Sequence, residues 1–334
     1  AMTLAQVLGA IPIVRLTGTL RVATALRLLV VLRTAALAAI ALLATSEAPF
    51  VWLVVAAAIA GSVNGAAFGY LRALLTQLAP PERLPRALGI AATVNEATFV
   101  LAPVAASGLG TVSPVFAVLA LAALGAVPAL LVPHVEAMPD DGLRRAGGSV
   151  LSRAMLLWLL CAMAGGATVA SIEIGAVALA LNFGHAPALA ILFTVPLCLA
   201  SVAGGIWVSV RNRMASRRVV VAQLFVMASG AGLAALNLSA VTTIIATILI
   251  GAVLAPLSTY YSLVLDTLAP PHRRAEVFAL QRTANASGVI FASAALTALS
   301  LSTALMLVAG LMVIATAAVA LASAGRGGRP PPGR

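Results

Sequence analysis

The sequence predicts an all-α membrane protein that crosses the bilayer many times. Of its 334 residues, 62% are hydrophobic and 9% are charged, whereas a water-soluble domain carries about 25% charged residues. Ten apolar segments are long enough for a spanning helix, which needs ~20 residues. A membrane β-barrel would show shorter segments of alternating polarity, and none occur. We therefore expect helices, which satisfy their own backbone hydrogen bonds in lipid.

A partial apolar segment at 1–14, too short to cross a bilayer, precedes the ten complete ones. The complete segments are 28–45, 50–74, 87–110, 113–133, 154–181, 186–210, 219–236, 240–266, 276–298 and 301–324. A long polar connection at 134–153 separates a first helical half, 1–133, from a second, 154–324. A polar tail follows at 325–334.

Arginine is distributed unevenly between two alternating sets of connecting loops. All 20 basic residues are Arg; 17 lie in or beside one set of loops, and none lies in the other set. Basic loops face the cytoplasm, so we expect a multi-pass plasma (inner) membrane protein with its central loop and C-terminus in the cytoplasm. This placement explains the formal net charge of +11 without a nucleic-acid partner, and anionic lipids are expected partners of the loops.

Two stretches of the chain repeat each other at a constant offset of 190 residues. Residues 61–95 and 251–285 share 11 identities over 35 positions without a gap. Both copies have the same orientation, as in parallel repeats of transporter halves. The offset maps 186–210 onto the partial segment 1–14, and it maps 154–181 onto positions before the chain begins. We therefore expect six plus six helices in the natural architecture, with the first helix missing from this chain.

With this repeat and central loop, the chain resembles the major facilitator superfamily of secondary transporters. The turn LAPPER at 78–83 and the stretch GAVLAPLSTYYSLVLDTLAPPHRRAEVFA at 251–279 are similar to bacterial efflux-type members. The resemblance covers essentially the whole chain, from the second helix of that fold to the twelfth. It implies alternating access, in which two six-helix halves expose a midplane site to one side of the membrane at a time.

Two motifs of the family are partly kept. Its loop motif, Gly-xxx-Asp-Arg-x-Gly-Arg-Arg, aligns with Gly18 to Arg27 but has Val22 and Ala23 at the Asp and Arg positions. Its fifth-helix antiporter pattern keeps its spacing and Pro103, while small residues replace three glycines. Small residues still allow close helix packing, and the pattern favours export over import. The positions assigned to helix packing are Gly89, Asn95, Thr98, Ala102, Pro103, Ala106 and Asn285.

Two carboxylates lie well inside predicted spans, away from the span ends, where ionisable groups are costly and usually face a cavity. Glu96 lies near the middle of 87–110, and Glu173 lies in the first helix of the second half. Both are candidates for proton coupling or for binding a cationic substrate; a structural pair with a neighbouring arginine is the alternative. Because Ala286 occupies the position of Glu96 in the second repeat copy, the shared fold does not require this carboxylate.

Other polar residues near the membrane interior fall into two groups. Gln281 and Arg282 are further substrate or coupling candidates, although Arg282 could instead snorkel to the membrane surface. For charged residues at helix ends beside basic loops, the resemblance implies a cytoplasmic gate of salt bridges, and solvated helix ends are the alternative. The gate candidates are Arg72, Asp266, Arg273 and Glu276.

No pattern for a metal, nucleotide or catalytic centre occurs in the sequence. Cys161 and Cys198 lie in apolar spans, where we expect small buried hydrophobic residues. We therefore expect no enzyme activity, no cofactor and no metal. The expected protein is a monomer whose partners are a small-molecule substrate, protons and membrane lipids.

The leading hypothesis is export of a small, amphipathic or cationic compound by proton antiport. One alternative is uptake or facilitated diffusion of a sugar or other metabolite. Another is a transport-inactive, truncated membrane protein, suggested by the missing first helix and by the lost Asp-Arg of the loop motif at Val22 and Ala23.

Overall fold

The computed structural model describes residues 2–46, 48–133 and 151–324. These residues form eleven α-helices and no strand, which confirms the predicted fold class. The helices are α1 Met2–Thr17, α2 Val22–Thr45, α3 Phe50–Leu78, α4 Leu84–Gly110, α5 Pro114–Leu131, α6 Arg153–Asn182, α7 Ile191–Arg211, α8 Arg217–Leu236, α9 Ala240–Leu268, α10 Arg274–Ala298 and α11 Leu301–Ala324. Most of the predicted loop at 134–153 and all of the tail at 325–334 lie outside the described residues.

Eight of the described helices are long and apolar enough to cross a membrane, namely α2, α3, α5, α6, α7, α8, α9 and α11. This agrees with a multi-pass membrane protein. The helices α4 and α10, which we also predicted as spans, have 27 and 25 residues and stand outside that set of eight. The polar residues Gln281, Arg282 and Asn285 lie in the first half of α10 and lower its hydropathy.

Arginine-rich and arginine-free connections alternate along the chain, so each helix has one end beside an arginine-rich connection. We call these helix ends the basic ends; they are marked by Arg15 of α1, Arg86 of α4, Arg211 of α7 and Arg274 of α10. The connection after α7 ends at Ser216, whose Oγ accepts a hydrogen bond from the backbone N–H of α8 and caps that helix.

The repeat seen in the sequence reappears in the structure with matching bounds. Phe50–Leu78 and Ala240–Leu268 begin and end 190 positions apart, and so do the single 3-10 turns Pro81–Arg83 and Pro271–Arg273. In both copies a proline at the first position of the turn fixes the backbone angle that restarts a helix. The repeat therefore encodes the same helix–turn–helix twice.

The helices pack as two compact units, and each unit includes a segment from the opposite half of the sequence. The first unit contains Ala1–Leu84, Thr98–Ser152 and Val264–Ser287. The second unit contains Pro85–Ala97, Arg153–Leu263 and Gly288–Arg334. Residues 85–97 of α4 and 275–287 of α10 stand 190 positions apart, so equivalent parts of the two repeat copies are exchanged.

Each unit has its own core of small and branched residues. In the first unit, α3 packs against α1 and α2, and the hydroxyl of Tyr70 lies 2.8 Å from Thr17 Oγ1. In the second unit, α6 packs against α11, and the Trp158 ring lies 5.2 Å from the Tyr260 ring and 5.8 Å from the Tyr261 ring. The aromatic contacts fix the start of α6 against α9.

Gly288 of α10 lies against the backbone of α6, where a side chain would clash. A Cβ at Gly288 would lie 2.7 Å from Ala167 N and closer still to Met163 O. We therefore expect Gly288→Ala to reduce the free energy of unfolding by about 1–3 kcal/mol, measured by thermal unfolding in detergent. Gly310→Ala in α11 is the matched control, because its Cβ would meet no neighbouring atom within 4 Å. Equal losses in both variants would contradict the packing argument.

Candidate functional site

The first part of α4 lies against α7 through one glycine from each helix. A Cβ on Gly89 would lie 2.9 Å from Ser209 Oγ, and a Cβ on Gly205 would clash with Thr93. Helix backbones approach this closely only where the side chains are small. Thr93 also donates its hydroxyl hydrogen to Gly89 O at 2.9 Å. This contact fixes the part of α4 that carries Glu96.

Two carboxylates and one thiol, from three helices, come together in the second unit; we call this group the carboxylate site. It consists of Glu96 on α4, Glu173 on α6 and Cys198 on α7, and all three are partly buried. The charge of Glu96 acts on Glu173, and both charges act on Cys198. Asn95 Nδ2 donates a hydrogen bond to Glu96 Oε1 at 3.4 Å. The structure thus brings together the two carboxylates that the sequence singled out separately.

The side chains of the carboxylate site are not arranged as a metal centre. Among the described residues, no group of three or more His, Cys, Asp or Glu side chains is placed to hold a metal ion. What the site offers is two carboxyl groups in a partly buried position. A bound proton or a bound cation would offset the repulsion between them.

The positions predicted to pack α4 and α10 differ from one another in the structure. Gly89 contacts α7 closely, whereas Thr98 is exposed. Asn95 bonds Glu96 on its own helix. The side chain of Pro103 lies outside the described part of the molecule. Three other positions are partly buried: Ala102, Ala106 and Asn285. Their packing role stays a prediction.

A second group of charged side chains lies at the basic ends in the first unit, and we call it the ion-pair network. Glu276 of α10 is 5% exposed; it accepts a hydrogen bond from Arg15 Nε of α1 at 2.9 Å and pairs with Arg273 at 2.7 Å. Asp266 of α9 is 7% exposed and pairs with Arg274 at 3.1 Å. The network therefore joins α1, from the first half of the sequence, to α10, from the second.

Three of the four gate candidates, Asp266, Arg273 and Glu276, take part in this network. Sequence reasoning missed two of their partners, Arg15 and Arg274, which we had counted only as loop arginines. Arg15 and Glu276 are 261 residues apart. Their membership of basic loops on the same side was the only signal that could have suggested the pair.

The fourth gate candidate, Arg72, lies elsewhere. Its Cζ is 5.3 Å from the centroid of the Phe68 ring, and Arg282 Cζ is 5.4 Å from the same centroid. Within the described ranges, Arg72 forms no ion pair, and its Nη1 has no hydrogen-bond partner. Gln281, beside Arg282, is 8% exposed. The four coupling candidates thus form two groups, since the two carboxylates belong to the second unit and Gln281 and Arg282 to the first.

Asn212 is a site residue that sequence reasoning missed. It follows the last turn of α7 with a φ of 43°, a left-handed conformation that Asn tolerates. Its Oδ1 accepts a hydrogen bond from the backbone N–H of Arg86 at 3.0 Å, in the first turn of α4, where N–H groups lack helical partners. The loop motif that begins at Gly18 recurs 190 positions later at Val208, with Asn212 and Arg213 at its Asp and Arg positions. That second copy was the available signal.

Two repeat-related sets of helices, with polar side chains kept inside apolar spans, define a secondary-transporter type of fold. The chain belongs to the Major Facilitator Superfamily, whose family model matches residues 1–293. The membership expected from the resemblance is thereby confirmed. This family and fold support membrane transport of small molecules.

Similar solved structures include transporters that are named for different substrates. The human organic anion transporter MFSD10 (TETRAN) has a TM-score of 0.76 at 15% identity, covering 96% of this chain and 82% of that one. The E. coli fucose:proton symporter FucP has a TM-score of 0.75 at 15% identity, with coverages of 96% and 89%. The proton:xylose symporter XylE has a TM-score of 0.77 at 11% identity, with coverages of 94% and 83%. At these identities the likeness shows the fold alone. No curated protein sequence matches the chain.

Proposed function

We propose that this chain is a secondary active transporter that works by alternating access and exchanges protons for a small molecule. The observation that carries the proposal is the carboxylate site, in which Glu96 from the first half of the sequence and Glu173 from the second half interact electrostatically. Ionisable residues in membrane spans commonly mark substrate and proton pathways. A site supplied by both halves can change its exposure when the halves move relative to each other.

Export by antiport is the direction that we infer. A cationic or amphipathic substrate and a proton would each offset the repulsion between Glu96 and Glu173. Two ligands that satisfy the same charges compete for one site, and competition of this kind produces exchange. The retained spacing of the antiporter pattern from Gly89 to Ala106 supports the same direction.

The ion-pair network supplies the gate in this proposal. We place the basic ends in the cytoplasm, because arginine-rich loops face that side of the plasma membrane. The pair between Arg15 and Glu276 joins helices from the two halves of the sequence, so it must break when the cytoplasmic side opens. Reformation of the pair would favour the closed cytoplasmic side.

The experiment that tests the function uses the purified full chain in proteoliposomes with an acidic interior. Valinomycin and equal potassium on both sides hold the membrane potential at zero, and labelled tetraphenylphosphonium is the cationic probe. We expect the probe to accumulate inside as protons leave. Equal accumulation of the probe in empty liposomes, or equal accumulation with and without a pH gradient, would count against proton antiport.

Proton-coupled uptake of a sugar is the second candidate, favoured by the similarity to the fucose:proton and proton:xylose symporters. In that case Glu96 and Glu173 would carry the proton that enters with the sugar. The same liposomes with an acidic exterior, supplied with labelled xylose or fucose, distinguish the two candidates. Sugar accumulation under that gradient, without any response to tetraphenylphosphonium, would select symport.

A further inference from the structure

Arg72, Arg282 and Phe68 form a group that the transport proposal does not use, and we call it the twin-arginine site. Arg72 is 6% exposed, and its charge lies close enough to that of Arg282 for the two to repel. A cation gains much less from an aromatic ring than a buried charge loses without a counter-charge. The Phe68 ring alone therefore does not balance the charge of Arg72.

The neighbouring carboxylates are engaged by other groups. Asp266 pairs with Arg274 at 3.1 Å. Glu276 is held between two other arginines of the ion-pair network. In the portion of the chain that the structure describes, no carboxylate is paired with Arg72.

The unused donor of Arg72 indicates the chemistry that would complete the site. Its Nη1 is buried and has no hydrogen-bond partner, and an unsatisfied buried donor destabilises the protein, more so when it is charged. Guanidinium groups match the planar, two-oxygen geometry of carboxylate and phosphate. Both guanidiniums border the same ring, with Cζ atoms 5.3 and 5.4 Å from its centroid, and the charge of Arg282 acts on Arg72.

We propose that the twin-arginine site binds a small oxyanion, phosphate or carboxylate in type, whose oxygens accept hydrogen bonds from Arg72 and Arg282. Arg72 precedes the last residue of α3, Leu78, by six positions, so its backbone lies ~9 Å inside the basic end of the helix. A free anion reaches this depth more readily than a lipid head group. Because α3 and α10 come from different halves of the sequence, the anion joins the halves at the basic ends. This role does not depend on proton coupling.

The test measures thermal unfolding of the purified full chain in detergent, with sodium phosphate against sodium chloride at equal ionic strength. We expect phosphate to raise the unfolding midpoint of the wild type. Arg72→Gln should weaken the apparent phosphate affinity at least tenfold. Arg72→Lys keeps the positive charge but lacks the planar guanidinium, so it should retain part of the phosphate affinity. Arg83→Gln, an exposed arginine of the Pro81–Arg83 turn, is the matched control and should respond like the wild type.

Separate measurements distinguish a free oxyanion from a lipid head group. A second variant is used if the first does not fold. A response in nanodiscs of phosphatidylglycerol but not of phosphatidylcholine, lost in Arg72→Gln, would identify a lipid head group as the source and support the same chemistry. If Arg72→Gln does not fold, Arg282→Gln replaces it in every comparison. The proposal is overturned if phosphate, acetate and phosphatidylglycerol all leave the wild type unchanged, or if the glutamine variant responds as the wild type does.

Discussion

Replacement of Glu96 by glutamine is expected to reduce proton-driven accumulation of tetraphenylphosphonium to the level of empty liposomes. Glutamine keeps the shape of the side chain and its hydrogen bond with Asn95, but it neither carries a negative charge nor exchanges a proton. Glu173 would then be the single carboxylate of the site. The substitution removes the charge pair for which proton and cation compete, and the measurement is labelled probe inside the liposomes after a pH jump.

Three further variants separate coupling from general damage. Glu173→Gln should have the same effect as Glu96→Gln, because each removes one member of the carboxylate site. Glu96→Asp, which keeps the charge, should retain part of the coupling. Glu82→Gln changes an exposed carboxylate on the Pro81–Arg83 turn and should transport at the wild-type rate. If both Glu96→Gln and Glu173→Gln couple probe accumulation to the pH gradient as the wild type does, the role assigned to the carboxylate site is contradicted.

Replacement of Glu276 by glutamine is expected to lower the free energy of unfolding by about 1–3 kcal/mol. Glu276 is 5% exposed, and its carboxylate accepts Arg15 at 2.9 Å and Arg273 at 2.7 Å. Breaking a fully buried pair costs about 3–5 kcal/mol. The smaller value applies here because the Arg15 side chain is 64% exposed and can turn to water. Chemical unfolding in detergent measures the loss.

The same variant should also favour separation of the basic ends in the first unit. Spin labels at Leu20, after α1, and at His272, before α10, report the distance between these ends, and Glu276→Gln should shift that distance to longer values. In the double variant with Arg15→Gln, part of the stability loss should disappear, since one unpaired guanidinium is removed as well. Unchanged stability together with an unchanged distance distribution would show that the network is only a set of solvated helix ends.

Much of the fold could be predicted from the sequence because the repeat and the apolar spans carry it. The offset of 190 residues predicted that Phe50–Leu78 and Ala240–Leu268 would be equivalent helices, and their bounds match. Helix ends were less predictable: α2 begins at Val22, six residues before the predicted apolar segment. A short polar stretch continues a helix when its backbone hydrogen bonds continue, and hydropathy does not report those bonds.

The partners within the candidate sites were largely beyond the sequence. Arg15 and Glu276 come from opposite ends of the chain, and no spacing rule links positions so distant. Cys198, expected as an ordinary buried residue, is instead near enough to the two carboxylates for their charges to act on it, because α7 packs close to α4 and α6. Contacts of this kind depend on how helices are arranged in three dimensions, which a single sequence does not specify.

The two repeat copies share their scaffold features but differ in the charges inside their apolar helices. Scaffold features recur 190 positions apart, as the two Pro-Pro turns do. Two charges inside the apolar helices do not recur: Glu96 is matched by Ala286 and Arg72 by Ser262. A shared fold has no need for a charge that one copy lacks, so single-copy charges inside apolar helices are the residues to which we assign a functional hypothesis.

The most direct test of proton coupling at the carboxylate site is the movement of protons themselves. A pH-sensitive dye trapped inside proteoliposomes of the purified chain follows the interior while an outward gradient of tetraphenylphosphonium is imposed at zero membrane potential. We predict that the interior becomes acidic with the wild-type chain as the probe leaves, and that its pH stays constant with Glu96→Gln. Equal acidification with both proteins, or none with the wild type, would contradict coupling through Glu96 and Glu173.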